Sequence, residues 1–286
     1  MFENRTINRL DRMLDAALTG DFRESDYDET KLSRLETKWK RFLTASSLSR
    51  DALTREKENV KSLVSDISHQ TKTPMTNIRL YVSLLEELLL TETRMTRQEE
   101  ALGMLKELTR QTEKLEFLIQ SLTKMSRLES NIVEVRPEKQ PILPLLSEVI
   151  DEAVAKAEQK RITIHNTYEG EACASFDFKW TKEAVGNVLD NAVKYSPAGS
   201  TVTISVTEYE MYLAVSIKDE GIGIREEEIP KIFGRFYRAE EVSQEEGVGI
   251  GLYLTREILK KKDGYVKVKS KPGEGAEFMI YLHKGR

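Results

Sequence analysis

The sequence predicts a two-part α+β protein, a long N-terminal helical hairpin followed by a layered domain of strands and helices. Three observations predict it. Residues 53–90 contain no glycine and only one proline, Pro74, and their apolar positions recur at three-and-four spacing. Residues 97–128 repeat that pattern. Beyond Asn131 the character changes: Pro137, Pro141 and Pro144 punctuate the chain, and β-branched runs then alternate with helical ones. With 286 residues there is room for two domains and a sizeable core.

Composition narrows the class. A formal net charge of −4, with acidic and basic residues interleaved, leaves no Lys/Arg-rich face and argues against nucleic acid as a partner. Cys173 is the only cysteine, so no internal disulfide forms; its apolar surroundings predict a buried, inert thiol in a reducing compartment. No run approaches the roughly 18 apolar residues of a membrane span, and the N-terminus lacks a signal-peptide core. The expectation is a soluble, cytoplasmic chain. A cytoplasmic fragment cut just after a membrane helix has the same appearance, so a membrane tether upstream of Met1 stays open.

Taken in order, Ile7, Leu10, Leu14 and Leu18 form one helical stripe ended by Gly20, and the acidic run over residues 21–30 follows. Leu32, Leu35, Trp39, Phe42 and Leu43 mark a second helical pattern, which reads either as a self-packed connector or as a linker carrying a mechanical signal. The helix over residues 53–90 would be roughly 55 Å long. Its apolar positions include Val60, Leu63, Val64, Ile67, Ile78, Val82 and Leu85. The polar stretch 91–96 joins it to the helix over 97–128, which carries Leu102, Leu105, Leu108, Leu115, Leu118, Leu122, Met125 and Leu128. Two such helices joined by a short loop make an antiparallel hairpin. A hairpin leaves a seam that it cannot bury alone, so a second copy completing a dimeric four-helix bundle is the expected solution. In the C-terminal part, strands are expected at 161–165, 172–176, 201–206, 212–217, 265–268 and 276–282, with helices at 145–159, 181–194 and 252–262. That mixed order fits helices on one face of a largely antiparallel sheet.

Within the first long helix, His69 has neutral imidazole available near physiological pH, with a ring nitrogen free to attack phosphorus. Pro74, five residues on, lacks an N–H and crowds the carbonyl of Gln70, so a bend or loosened turn is expected there. A histidine beside a helix kink also fits a merely solvated or packed side chain. His165, in an alternating strand, and His283, beside the C-terminus, read as satisfied or solvated.

Four stretches of the C-terminal part suit an anionic ligand and a cation. Asn187, Asn191 and Lys194 fall at i, i+4 and i+7 on one helix face, offering amide oxygens to a hard divalent ion and an ammonium to phosphate. Asp219 precedes Gly221 and Gly223 after a strand; its carboxylate can accept from an adenine amino group. Gly247, Gly249 and Gly251 open a helix, where backbone N–H groups and the helix dipole favour a triphosphate. Between these loops, Phe233 and Phe236 can anchor a mobile segment from which Arg235 or Arg238 reaches a γ-phosphate. The Glu-rich run up to Gly247 reads as a flexible lid.

His69 with Thr73-Pro74, the box at 187–195, the Asp219 loop, the Phe233 box and the glycine loop at 247–251 stand in the order of a two-component sensor histidine kinase. Residues 50–286 resemble that family. The resemblance implies a helical linker or signal-transmission segment over 1–50. A dimerisation and histidine-phosphotransfer domain would span 51–130. The catalytic domain over 131–286 would be an α/β sandwich that binds ATP, of the type shared with DNA gyrase, Hsp-ninety-like chaperones and mismatch-repair ATPases. It further implies autophosphorylation of His69 from ATP with Mg²⁺ and transfer to an aspartate in the receiver domain of a response regulator. By the same resemblance Asn187 is assigned to Mg²⁺, Asn191 and Lys194 to phosphate or metal, and Tyr195 to the adenine face. Asp219 takes the adenine amino group, Gly221 and Gly223 shape the adenine end, and Gly247, Gly249 and Gly251 form the phosphate lid.

Two departures stand out. Ala276, after Gly273 and Gly275, occupies a place where a hydroxyl residue is common. Gln70 replaces the Glu or Asp that follows the family's histidine and serves as its base; an amide can only orient the ring or a water. Thr73 holds the place of the residue that positions water for dephosphorylating the partner, so a phosphatase activity is an open reading. The alternatives are another ATPase of the same superfamily, which would need a transducer domain, and a non-catalytic signalling scaffold.

Overall fold

A computed structural model describes residues 31–90, 97–129, 136–242, 247–261 and 263–285. The expected helix at 7–18, the turn at 21–30 and the connection at 91–96 lie outside the described residues. Helix α1 runs over Lys31–Leu90 as one element of 60 residues, about 90 Å at the α-helical rise. The pattern around Trp39 and Phe42 therefore does not form a separate helix; nothing between residues 43 and 53 breaks helical propensity. The helix also continues across Pro74, which is buried, without the loosened turn expected there. Pro74 removes one hydrogen bond from the ladder, and the rest of the helix carries on.

The chain forms two units, the first ending at His69 and the second running from Gln70 onward. In the first, the helical arm places Leu48, Leu53, Val60 and Val64 in solvent, and Trp39 packs edge-on against Phe42 at 6.1 Å.

In the second unit, helix α2 spans Arg97–Glu129. Its apolar stripe divides: Leu102 and Leu105 are exposed, whereas Leu118, Met125 and Leu128 are buried. Strand β1 (Glu138–Pro141), helix α3 (Leu143–Gln159), β2 (Thr163–Asn166), β3 (Cys173–Phe176), α4 (Phe178–Tyr195), β4 (Thr201–Glu208), β5 (Tyr212–Lys218), a short 3₁₀ turn (Glu240–Val242), α5 (Gly251–Lys260), β6 (Tyr265–Ser270) and β7 (Ala276–His283) follow. Five strands form one sheet in the order β2-β4-β5-β7-β6, antiparallel except for the β2–β4 pair. β1 and β3 make a separate antiparallel ribbon. Helix α2 packs against α5, and its Lys124 pairs with Glu183 of α4 at 2.7 Å.

The core follows from period. In α3, Leu145, Leu146, Val149, Ala153 and Ala157 recur at helical spacing and are buried. They meet Val185, Val188, Leu189 and Ala192 of α4 and the inward residues Ile204, Val215, Ile217, Phe278 and Ile280 of the sheet. Ile217 pairs with both Ile204 and Phe278 across the strands. Alternate residues of the same strands form a smaller aromatic layer on the opposite face, where Tyr265 stacks on Tyr281 at 4.4 Å.

Some boundaries differ from expectation. β1 carries no apolar alternation and ends on Pro141, so pattern alone does not reveal it; a proline is tolerated at a sheet edge. Arg161 has φ 57° and belongs to the turn before β2 rather than to the strand. Cys173 is only half-buried, because the ribbon leaves one face of β3 open. α4 begins three residues earlier than expected because Asp177 caps it, accepting the Trp180 N–H at 3.1 Å on Oδ1. Asp177 Oδ2 also accepts the Arg136 N–H at 3.0 Å, tying the chain before β1 to that cap.

Asp177→Ala removes both bonds. It should cost about 1–2 kcal/mol and lower the thermal midpoint by roughly 2–8 °C, while Asp177→Asn should recover most of the loss in the same melting experiment.

Candidate active site

A cavity of about 1240 Å³ opens where α2, α4, the turn after β5 and the start of α5 meet. The helix face expected from i, i+4, i+7 spacing is realised: Asn187, Asn191 and Lys194 of α4 all line it, followed by Tyr195. Lys194 donates to the Tyr195 hydroxyl at 3.0 Å and lies 4.6 Å from its ring centroid. At the end of α4, Lys160 donates to the carbonyl of Lys194, neutralising the negative end of that helix.

Asn187 carries the most informative atom. Its Nδ2 is buried and has no hydrogen-bond partner among the described residues. A buried amide donor without a partner is costly, which marks a place for a ligand oxygen. With the carboxamide turned over, the same position offers Oδ1 to a hard cation. Among the described residues no three His, Cys, Asp or Glu side chains gather as a metal cage. The amide oxygens of Asn187 and Asn191 are instead the hard donors that a divalent cation takes together with water and ligand phosphates.

Asp219 is 6% exposed and lines the cavity beside the end of α4, where its Oδ1 and the Tyr195 carbonyl oxygen both close on Gly221. Its Oδ1 accepts the N–H groups of Gly221 at 2.8 Å and Ala276 at 3.1 Å. Burial pushes the carboxyl above its ordinary value of 3.8, and the two N–H bonds oppose that shift in part. Gly221 does not itself line the cavity. Gly223 does, and it has to be glycine: φ is +72°, and a Cβ would lie 1.9 Å from the Lys271 carbonyl oxygen. Ser270 secures this corner, accepting the Ile224 N–H at 2.8 Å and donating to the Gly275 carbonyl at 2.7 Å. Ala276 supplies its backbone N–H to Asp219, a link that does not need a side-chain hydroxyl.

The glycine loop alternates. Val248 and Ile250 are buried and anchor it, and all five residues 247–251 border the cavity. At Gly249, φ is +75° and a Cβ would come within 2.6 Å of the Tyr237 carbonyl oxygen. Residues 243–246 of the expected lid lie outside the described residues.

The two arginines of the aromatic box part company. Arg238 lines the cavity and donates to the Val242 carbonyl. Arg235 instead sits 5.1 Å from the Tyr253 ring centroid and is not part of the lining, because Tyr253 of α5 offers it an aromatic face. A group that the sequence reading missed lies beside Arg238: buried Glu228 accepts from Arg225 and from the Tyr237 hydroxyl, each at 3.1 Å, and Arg225 also reaches Glu241 at 3.2 Å. Arg225 holds the Glu228 carboxyl below the ordinary carboxylate range. Thr255 was missed too; buried within α5, it donates to the carbonyls of Ala184 and Gly251. Neither group has a motif signature, since both depend on contacts distant in sequence. On α1, His69 and Thr73 are exposed and Gln70 is half-buried.

Comparison with known proteins gives the site its context. Residues 59–131 match the His Kinase A (phospho-acceptor) domain, and residues 176–286 match the Histidine kinase-, DNA gyrase B-, and HSP90-like ATPase domain. The chain belongs to the sensor histidine kinases. Sensor histidine kinase WalK of Bacillus subtilis is 30% identical over 226 residues, covering 78% of this chain and 36% of WalK. Sensor protein SrrB of Staphylococcus aureus is 27% identical over the same share of this chain and 38% of its own. The chain thus spans little more than a third of these relatives. Acinetobacter baumannii histidine kinase AdeS shares the fold, with a TM-score of 0.60 at 20% identity over 76% of this chain and 98% of that one. In this chain the α/β fold reaches back beyond the matched residues, since β1 pairs with β3 and β2 with β4.

A carboxyl whose folded pKa is raised opposes folding once it ionises. The contribution of Asp219 is most favourable below about 3.8 and is lost as pH rises through the raised value. Asp219→Asn keeps an acceptor for Gly221 and Ala276 but carries no charge. Melting curves from about pH 4 to pH 7 should show the variant gaining on the parent as pH rises; a variant that loses ground instead would contradict the assigned burial.

Proposed function

We propose that this chain is the kinase core of a sensor histidine kinase, which phosphorylates its own His69 from ATP and passes the phosphoryl group to an aspartate in a response regulator's receiver domain. The observation that carries the reading is the meeting in one cavity of Asn187, Asn191, Lys194, Asp219 and the glycine loop, on a chain whose phospho-acceptor match contains an exposed histidine. ShkA, similar in fold at a TM-score of 0.57, is described as a complex with AMPPNP, which supports a nucleotide in this cavity. Adenine would lie at Asp219, its amino group donating to the carboxylate, with Tyr195 against its face. The phosphates would lie along Gly247, Gly249 and Gly251, where Lys194 and Arg238 supply positive charge. Bound Mg²⁺, held by Asn187, would neutralise charge on the phosphates.

Chemistry then rests on positioning. A neutral His69 nitrogen attacks the γ-phosphorus, the bond to the β,γ-bridging oxygen breaks, and ADP leaves. The other ring nitrogen gives up its proton. Gln70 cannot take it, so solvent at the exposed imidazole is the acceptor. Transfer requires the γ-phosphate bound in the cavity to reach the His69 nitrogen in line with the bond that breaks. Thr73, one turn on, would place a water for dephosphorylating the regulator.

The exposed Val60 and Val64 on one helix and Leu102 and Leu105 on the other support a homodimer, in which the two copies form a four-helix bundle. No helix among the described residues is long and apolar enough to cross a membrane. A cytoplasmic kinase core joined to an upstream sensing part fits the relatives' greater length.

Incubation with γ-labelled ATP and Mg²⁺ tests the reaction. Acid-labile, alkali-stable label should appear on the parent and vanish in His69→Ala. Gln70→Glu should label on the order of tenfold faster or more, because it restores a base beside the imidazole. Label surviving in His69→Ala would refute the assignment, and a folded, ATP-binding chain that takes up no label would leave a scaffold as the better account.

A further inference from the structure

The cavity wall supplied by α2 contains a cation that the catalytic motifs do not account for. Arg110, Gln111, Lys114 and Phe117 line the cavity from this helix. Most lining cations are engaged: Arg110 chelates Glu107, Lys156 pairs with Asp190, Lys160 holds the end of α4, and Arg225 bridges Glu228 and Glu241. Lys194 and Arg238 have the partners given above. Lys114 has no hydrogen-bond or ion-pair partner among the described residues. It therefore adds an exposed ammonium to a lining of seven cations against five carboxylates, Glu113 on the same helix among them, and that surplus of positive charge favours an anionic ligand.

The helix is fixed where it can serve this purpose. Burial of Leu118, Met125 and Leu128 and the Lys124–Glu183 pair hold the following turns of α2 against the catalytic fold. Its packing partner α5 begins at Gly251, the end of the glycine loop. An ammonium has three donors and no acceptor, and a phosphate oxygen is its natural partner. The base is taken by Asp219 and the inner phosphates by the glycine loop, so the part of a nucleotide left for a wall outside those motifs is its terminal phosphate. We propose that Lys114 donates to the terminal phosphate of the bound nucleoside triphosphate, making α2 a part of the nucleotide site. This rests on the reading of the cavity as the ATP site. Binding of triphosphate and seating of α2 on the catalytic domain then favour each other, and loss of the terminal phosphate weakens that coupling.

Calorimetric titration of the full chain with ATP and with ADP, each with Mg²⁺, tests the contact. Lys114→Gln should weaken ATP about tenfold and leave ADP within about twofold, Lys114→Arg should restore ATP binding, and Lys106→Gln, at an exposed site on the same helix away from the cavity, should change neither. An unchanged ATP affinity in Lys114→Gln, or equal loss for ATP and ADP, would overturn the proposal while leaving the ATP site itself intact. Failure of the parent chain to bind ATP would overturn the site reading and this inference with it.

Discussion

The close approach of α5 to α4 is the constraint on which the site depends. The glycine loop enters α5 at Gly251, where a Cβ would lie 3.2 Å from Asn187 Oδ1, tighter than side chains ordinarily pack. Thr255, one turn later and fully buried, bonds to Ala184 of α4 at 3.1 Å and to Gly251 at 3.0 Å. One hydroxyl thus fixes the loop's exit against the helix that carries the polar face. If α5 moved outward, Asn187 and the loop amides would no longer border the same space.

From that junction the cavity acquires a direction. Where the glycine loop meets α4, Lys194 and a buried amide donor without a partner border it; at the turn after β5 it holds a buried carboxylate whose ionised form burial disfavours. The first suits phosphate and a metal, and the second suits a neutral donor such as an exocyclic amine. The two preferences are opposite, so a ligand bearing both kinds of group can lie in only one orientation. The Arg225–Glu228–Tyr237 network beside Arg238 adds a rigid base to the segment that leads into the lid.

The parts of this molecule that sequence discloses are those governed by period and by glycine. The face of Asn187, Asn191 and Lys194 was legible because helical spacing fixes which residues share a side, and the glycine loop because close backbone approach admits no other residue. The core of α3 and of the central strands followed from alternation. What escaped detection depends on partners remote in sequence. Glu228 is buried only because Arg225 and Tyr237 meet it, Thr255 matters only because Ala184 lies opposite, and β1 pairs with β3 without an apolar pattern of its own. Arg235 and Arg238 look equivalent in sequence, three residues apart, yet Tyr253 draws one of them away from the cavity. Helix α1 runs on through Pro74 for a related reason: a single missing hydrogen bond is local, whereas the helix around it is 60 residues long.

The central claim is that a buried carboxylate at one end and phosphate-binding groups at the other select an adenine nucleotide. Titration of the chain with ATP and with GTP, both with Mg²⁺, tests it most directly. Asp219 can accept from the adenine amino group but meets a carbonyl oxygen in the same position of guanine, so ATP should bind at least a hundredfold more tightly. Equal affinity for the two would show that Asp219 does not read the base and would contradict this account.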